Sequence, residues 1–205
     1  MKKIAIDAYY QCGICHVVGG IFNKWGDEHV SKFITADVKV DSDYIPGEFY
    51  KRELPGIVEL LKQVDLNEFE AIVIDVYVYL DDTTNIKGGL GKHLREALEK
   101  HYANRKVGKR LEIIGVAKSL YGSRDSYYGL CYRGESKKPL YITSLNMYSG
   151  KYGKILTTHH NIRCIKRMAG SYRIPTIIKE VDAETKKYFK LFLFFKKFLF
   201  ICNVS

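Results

Sequence analysis

Apolar and polar positions first divide the chain into short β-like runs. Ile4 to Tyr9, Val17 to Phe22 and Phe33 to Val40 are rich in β-branched and aromatic residues and are separated by turns carrying glycine and charge, which predicts an antiparallel meander. The period then changes. Glu48 to Glu53 suits a short helix, and Leu54-Pro55 restarts it with Pro55 in a first turn, after which Ile57, Val58, Leu60, Leu61 and Val64 keep one apolar face. Ala71 to Val78 is a continuous apolar run, the pattern of a central strand buried on both faces. Asp81 to Gly91 reads as a polar loop, His93 to Tyr102 as a helix with Leu94, Ala97 and Leu98 on one side, and Leu111 to Val116 as a further, parallel strand reached by a right-handed crossover. Tyr127 to Tyr132 and Leu140 to Thr143 read as edge strands, and Lys154 to Met168 as a helix. The expected fold is α/β, a mixed five-stranded sheet with flanking helices.

At 205 residues, 46% of them hydrophobic, the chain has the size of one domain around one core. Composition shifts only near the end, so residues 1–185 are expected to form the domain and 186–205 an atypical tail rich in Phe and Lys. Lys190, Lys196 and Lys197 interrupt that tail, leaving no apolar run near the ~20 residues that span a bilayer, so no transmembrane segment is expected. Packing on the core is the expected fate of the tail, with contact at a membrane surface as the alternative.

Thirty-three Lys and Arg against 23 Asp and Glu give a formal charge of +10, which favours a polyanionic partner such as nucleic acid. The five cysteines, Cys12, Cys15, Cys131, Cys164 and Cys202, are odd in number and lack the spacing of a secreted disulfide scaffold, so free thiols and a cytoplasmic location are expected. Cys12-Gly13-Ile14-Cys15-His16 has the form of a c-type haem attachment word. No export signal precedes it and no second ligand pair stands at zinc spacing, so neither haem nor zinc is expected. Gly88-Gly89-Leu90-Gly91-Lys92 resembles a phosphate loop, but His93 stands where that loop needs Ser or Thr. His159-His160 has no acidic or Cys partners at ligand spacing and reads as a surface pair near a helix start.

Two acidic residues close apolar runs, in Ile4-Ala5-Ile6-Asp7 and Ala71-Ile72-Val73-Ile74-Asp75. A carboxylate at the end of a buried strand requires neutralisation, because an unpaired charge there costs several kcal/mol, on the order of the penalty for a buried ion. Taken alone, either Asp equally suits a turn-capping role. Brought side by side, they would make an oxygen-rich site for Mg²⁺, with Mn²⁺ able to substitute, metals that activate water for phosphodiester hydrolysis.

The words around these residues carry a resemblance. Tyr44-Ile45-Pro46-Gly47, followed by Lys51-Arg52-Glu53-Leu54-Pro55, resembles the Tyr-Ile-Pro-Gly wedge and Arg-Glu segment of the endonuclease V family at the family's spacing. Ile114-Gly115-Val116-Ala117-Lys118-Ser119 is similar to its strand end bearing a catalytic-site lysine, and Tyr172-Arg173-Ile174-Pro175, with Asp182 seven residues after Pro175, to its C-terminal segment. Order and separations agree from about residue 3 to residue 185.

The resemblance implies a ribonuclease H-like fold and a metal-dependent endonuclease that cuts at a deaminated purine, inosine, at the second phosphodiester on its 3′ side. It implies Asp7, Asp75, Glu53 and Asp182 as metal ligands and Lys118 as the cation that binds the scissile phosphate or orients water. Tyr44, Ile45 and Pro46 would enter DNA where the damaged base swings out, with Gly47 allowing close backbone approach. DNA is the expected partner, with RNA as a second candidate, and the protein is expected to be a monomer. One departure bears on substrate: the best-known members follow the central-strand Asp with a Gly-His-Gly stretch that helps form the hypoxanthine pocket, whereas this chain has Val76-Tyr77-Val78-Tyr79-Leu80. A non-catalytic nucleic-acid-binding module and a same-fold nuclease for structured DNA are the rival readings.

Overall fold

The chain begins with strand β1, Lys2–Gln11, which turns back through Cys12 and Gly13, at φ 52° and 76°, into β2, Ile14–Phe22. The computed structural model describes residues 1–40, 48, 50–80, 87–102, 111–121, 128–145 and 151–188, with the side chains of 151–157 excepted. β2 pairs antiparallel with β1 and with β3, Lys32–Lys39, giving the expected meander. Helix α1, Tyr50–Leu61, leads to β4, Phe69–Ile74, which lies parallel to β1. Helix α2, Leu90–His101, then connects to β5, Glu112–Ala117, parallel to β4. β6, Gly129–Cys131, and β7, Leu140–Leu145, are antiparallel additions, followed by α3, Lys151–Arg167, and a last helix α4 over 176–188.

Among the described residues the sheet has seven strands in the order β3-β2-β1-β4-β5-β7-β6, not five. The first five in that order are the expected mixed sheet, and the segments read as edge strands extend it. β7 is in fact interior. It lies between β5 and β6 with Ile142, Thr143 and Ser144 buried, and its polar residues disguised a strand covered on both faces.

Two apolar layers enclose the sheet. On one face Ile57, Leu60 and Leu61 of α1 and Leu90, Leu94 and Leu98 of α2 pack on Ile4, Ile6, Ile72 and Ile74. On the other, Ile165 of α3 and Ile177, Ile178 and Val181 of α4 pack on Ala5, Val18, Val73 and Val116. Alternate residues of β1, β2 and β4 thus go to opposite layers, which is why these strands read as unbroken apolar runs.

Three further expectations change. Helix α1 is continuous from Tyr50, so Pro55 lies inside it rather than restarting it. Pro55 faces solvent and removes one backbone donor, while burial of Gly56, Ile57, Leu60 and Leu61 holds the helix across it. The strand expected to reach Val78 stops at Ile74, although Tyr77 and Val78 are buried. The Val78 N–H donates to the Thr143 hydroxyl at 2.9 Å instead of to a strand neighbour. Apolar composition there tracked burial and not extended pairing. Lastly, α2 starts at Leu90 rather than His93, with Gly89 as its N-cap; Gly89, Leu90 and Gly91 are buried, and Lys92 turns outward to face Glu96 at 3.4 Å.

Tyr44, Ile45, Pro46 and Gly47 lie outside the described residues, as do 189–205 of the tail. Helix α4 runs to residue 188, past the expected domain limit at 185.

Candidate active site at the end of the parallel strands

Register places the first two carboxylates. The last paired rung of β1 and β4 joins Ile6 to Ile74, so Asp7 and Asp75 are each the first residue beyond it, level with one another. Asp7 does not end its strand, contrary to expectation: β1 continues to Gln11 by pairing with β2, where Asp7 faces Val18. Since Ile6 and Ile74 point into the α1–α2 layer, the alternation of the strand turns Asp7 and Asp75 toward α4. There α4 supplies Asp182. Oxygens of Asp7, Asp75 and Asp182 lie within 4.8 Å of one another, the spacing at which one metal ion can be shared.

Glu53 comes from the first turn of α1, in the opposite layer. It is not one of the three carboxylates that can meet at a single point, but it is close enough to Asp7 and Asp75 to feel both charges. The donors are all hard carboxylate oxygens, and Asp75 Oδ1 is buried without a hydrogen-bond partner among the described residues. Such a set fits Mg²⁺ or Mn²⁺, which supply the missing positive charge.

Lys118 follows β5 directly, and its ammonium pairs with Asp75 Oδ2. Arg173 explains how that lysine is held: its guanidinium donates to the Lys118 carbonyl and, at 2.9 Å, to the carbonyl of Pro139. The Tyr172-Arg173-Ile174-Pro175 word is thus a fastening for the end of β5 ahead of α4. Arg133, absent from the sequence reading, does the complementary work. Buried at 7% exposure, it donates to the carbonyls of Met168, Gly170 and Tyr172, closing the turn between α3 and α4. Lys186 was also missed, although its i+4 spacing from Asp182 on a helix was a usable signal; it donates to Asp182 Oδ2 at 2.7 Å. Thr185 is fully buried, its hydroxyl lying 2.7 Å from the Val181 carbonyl and within reach of the Asp7 carboxylate. His159 and His160 are exposed as expected, but they lie midway along α3 rather than near its start, and, contrary to the expectation of no Cys partner, His160 Nε2 lies 3.4 Å from Cys164 Sγ one turn on.

Gly115 lets the chain pass from β4 across β5. A Cβ there would lie 2.4 Å from the Val76 carbonyl oxygen and 2.4 Å from Thr143 Oγ1. The Val76 backbone adjoins Asp75, so a methyl group would push on the site itself. Gly115→Ala is expected to cost about 1–3 kcal/mol, the range for overpacking. Denaturant unfolding checks this, and a loss below about 0.5 kcal/mol would contradict it.

Burial dominates the electrostatics. It raises the Asp75 carboxyl to about 6 despite the Lys118 ammonium, with Asp7 and Asp182 adding to the rise. Burial also raises Glu53 to about 7, reinforced by Asp7 and opposed by Arg52. Asp7 is raised as well, by burial and then by Asp182, while the Thr185 hydroxyl opposes the shift. In an unfolded chain such carboxyls titrate near ~4. The folded, metal-free protein therefore binds more protons between there and about 7, and stability falls as pH rises through that window. Metal-free protein is expected to show a component of its melting temperature that declines from about pH 4 to about pH 7, levels off above that, and is reduced in Glu53→Gln. Melting curves over that range test it, and an equal pH dependence in the variant would contradict it.

No protein-family profile matches the sequence. No curated protein matches it either. Solved structures do. Endonuclease V of Ciona intestinalis, in complex with a 24mer DNA containing an inosine followed by a ribo-adenosine, superposes with a TM-score of 0.69 at 16% identity, covering 93% of this chain and 87% of that one. Endonuclease V of Streptomyces avermitilis gives 0.66 at 17% identity, over 93% and 82%. The catalytic domain of human endonuclease V gives 0.64 at 18% identity, over 94% and 83%. The chain has the endonuclease V fold.

Proposed function

We propose that this protein is a divergent endonuclease V, a metal-dependent endonuclease that hydrolyses a phosphodiester 3′ to inosine in DNA, with RNA as a second substrate, in nucleic-acid repair. One observation carries the reading: Asp7, Asp75 and Asp182 converge beside Lys118 at the end of the parallel strands, with one oxygen of Asp75 buried and unpartnered among the described residues. A net charge of +10 suits the polyanionic substrate.

Asp7, Asp75 and Asp182 would hold Mg²⁺ or Mn²⁺, with Glu53 flanking, and the bound ion supplies Lewis-acid polarisation and activation of water. The chain's own part is positional and electrostatic. Asp7 and Asp75 are fixed by the sheet register, and Asp182 by the packing of α4. Lys118 is neutralised by Asp75 in the free protein and becomes available to a phosphate oxygen once the carboxylate is otherwise engaged. Lys186 stands in the same relation to Asp182. Tyr44, Ile45, Pro46 and Gly47 keep the wedge role that the resemblance implies.

A second reading, a nuclease of the same fold with another substrate, is favoured by Tyr77. This side chain is 8% exposed, and its hydroxyl donates to the Ser119 carbonyl at 2.8 Å and accepts from the Tyr121 N–H at 3.3 Å. A packed tyrosine thus stands at the centre of Val76-Tyr77-Val78, the stretch that replaces the Gly-His-Gly of the base pocket in better-known members. Inosine in single-stranded and duplex DNA, inosine in RNA, uracil, mismatched and four-way-junction substrates separate the readings. Cleavage of the inosine strands alone is expected. Cutting of junctions but not inosine would establish the second reading, and nucleic-acid binding without any cutting would leave a non-catalytic module.

A further inference from the structure

Helix α4 brings Asp182 to the site, and its grip on the sheet is concentrated on one helical face. Asp182, Thr185 and Tyr188 follow at intervals of three residues, so they share that face. Thr185 reaches Asp7, while Tyr188 reaches past the site to β2 and β3. The strand register shows where. Asp7 faces Val18, and two residues further along Tyr9 faces His16, which in turn faces Asp37 on β3. Residues two apart on a strand lie on one side of the sheet, so His16 and Asp37 are under α4 together with Asp7.

These residues form one connected unit. The Tyr188 hydroxyl donates to Asp37 Oδ2 at 2.8 Å, and His16 Nδ1 lies 2.5 Å from Asp37 Oδ1. The Tyr188 ring stacks on the His16 imidazole with centroids 3.7 Å apart and planes 5° from parallel. His16 is 3% exposed. Burying the His16 imidazole beneath a helix costs desolvation that an apolar residue would avoid, although the Asp37 side chain itself stays 46% exposed. What they add is direction: each oxygen of Asp37 engages a different element. Two features extend the grip toward the other end of α4. Glu180 Oε1 lies 2.5 Å from His29 Nδ1, and its Oε2 accepts from the Val30 N–H at 2.9 Å. Gly20 admits Val181 so closely that a Cβ there would stand 2.5 Å from Val181 Cγ2.

We propose that Asp37, with His16 and Tyr188, is a positioning clamp that fixes the register of α4 on the sheet and thereby sets Asp182 at the distance a shared metal ion requires. The proposal rests on Asp182 being a metal ligand. Mg²⁺ and Mn²⁺ tolerate little error in ligand position, with oxygen distances near ~2.1 Å for Mg²⁺, so a helix free to shift by about 0.5 Å would bind either poorly. Asp37 touches no substrate in this account. It acts through α4.

The test compares Asp37→Ala, Asp37→Asn and a remote core variant, Leu98→Ala, which destabilises the α2 layer without touching α4. Asn keeps an acceptor for Tyr188 and can donate to His16, so it preserves the clamp. Mn²⁺ affinity is read from the electron paramagnetic resonance signal of the free ion, and amide exchange over 181–188 is followed in metal-free protein. Asp37→Ala is expected to weaken Mn²⁺ binding about tenfold, as lost outer support of a ligand does, and to speed exchange in α4. Asp37→Asn and Leu98→Ala should stay within about twofold of the wild-type affinity. Unchanged Mn²⁺ affinity in Asp37→Ala, or an equal loss in Leu98→Ala at a comparable melting temperature, would overturn the clamp. Wild-type protein that binds no Mn²⁺ would instead overturn the metal-site reading, and the exchange data would still show whether Asp37 holds the helix.

Discussion

Replacing Asp75 by Asn is expected to lower phosphodiester cleavage at least about 10³-fold while nucleic-acid affinity stays level or improves. The direction follows from position. Asp75 is the first residue past the β1–β4 pairing, is shared with Asp7 and Asp182 in one carboxylate group, and has a buried oxygen that no described residue satisfies. Asn keeps the shape and removes the charge. A metal held by one fewer anion loses several kcal/mol of transition-state stabilisation, and every ~1.4 kcal/mol is a factor of ten. Nucleic-acid affinity moves the other way because one negative charge facing the phosphates is gone. Single-turnover cleavage and equilibrium binding on the same preparation check both halves. Equal cleavage by variant and wild type in Mg²⁺ would remove Asp75 from the site.

Lys118→Ala is expected to reduce cleavage about 10²–10³-fold, the usual effect of deleting one preorganised donor to a developing anion, with metal affinity retained or tightened. The ammonium pairs with Asp75 in the free protein, so its removal leaves that carboxylate more available to a cation. Lys118→Arg should not restore the rate, since a planar guanidinium cannot place a compact charge at the same point. Titration of Mn²⁺ alongside single-turnover rates tests this, and a rate within about threefold of wild type would contradict the assignment.

The arrangement of strands was legible in the chain to the extent that apolar runs report burial. The meander and the strand, helix, strand order that follows it came directly from period and turn residues, and Asp7 and Asp75 came with them because each ends an apolar word. Tyr77 and Val78 show the limit of that signal: both are buried, yet the chain there leaves the sheet because Thr143 captures the Val78 N–H and Gly115 makes room for the crossing. A partner 65 residues away along the chain cannot be read from local pattern. Pro55 shows the converse, a local helix breaker overridden by tertiary burial.

Long-range pairing also hid most of the supporting residues. Arg133 reads as a surface cation until the turn at 168–172 is brought to it, and Asp37, exposed on an edge strand, shows nothing of its contacts until register sets it against His16 and Tyr188. Lys186 was the exception, since helical spacing from Asp182 alone predicts the contact. Asp182 and Glu53 were identified through the family words and not through pattern, because acidic residues on helices are commonplace. The geometry then separates them: Asp182 joins the group that can share one ion, while Glu53 stands to the side with its carboxyl raised to about 7.

The most direct test is cleavage of a 5′-labelled oligonucleotide containing a single inosine, measured with Mg²⁺, with chelator, and after Mg²⁺ is restored. A single product ending at the second phosphodiester 3′ to the inosine is expected with Mg²⁺, lost on chelation and recovered on restoration. Cleavage that persists in chelator, or none in either Mg²⁺ or Mn²⁺, would contradict a metal-dependent nuclease built on Asp7, Asp75 and Asp182.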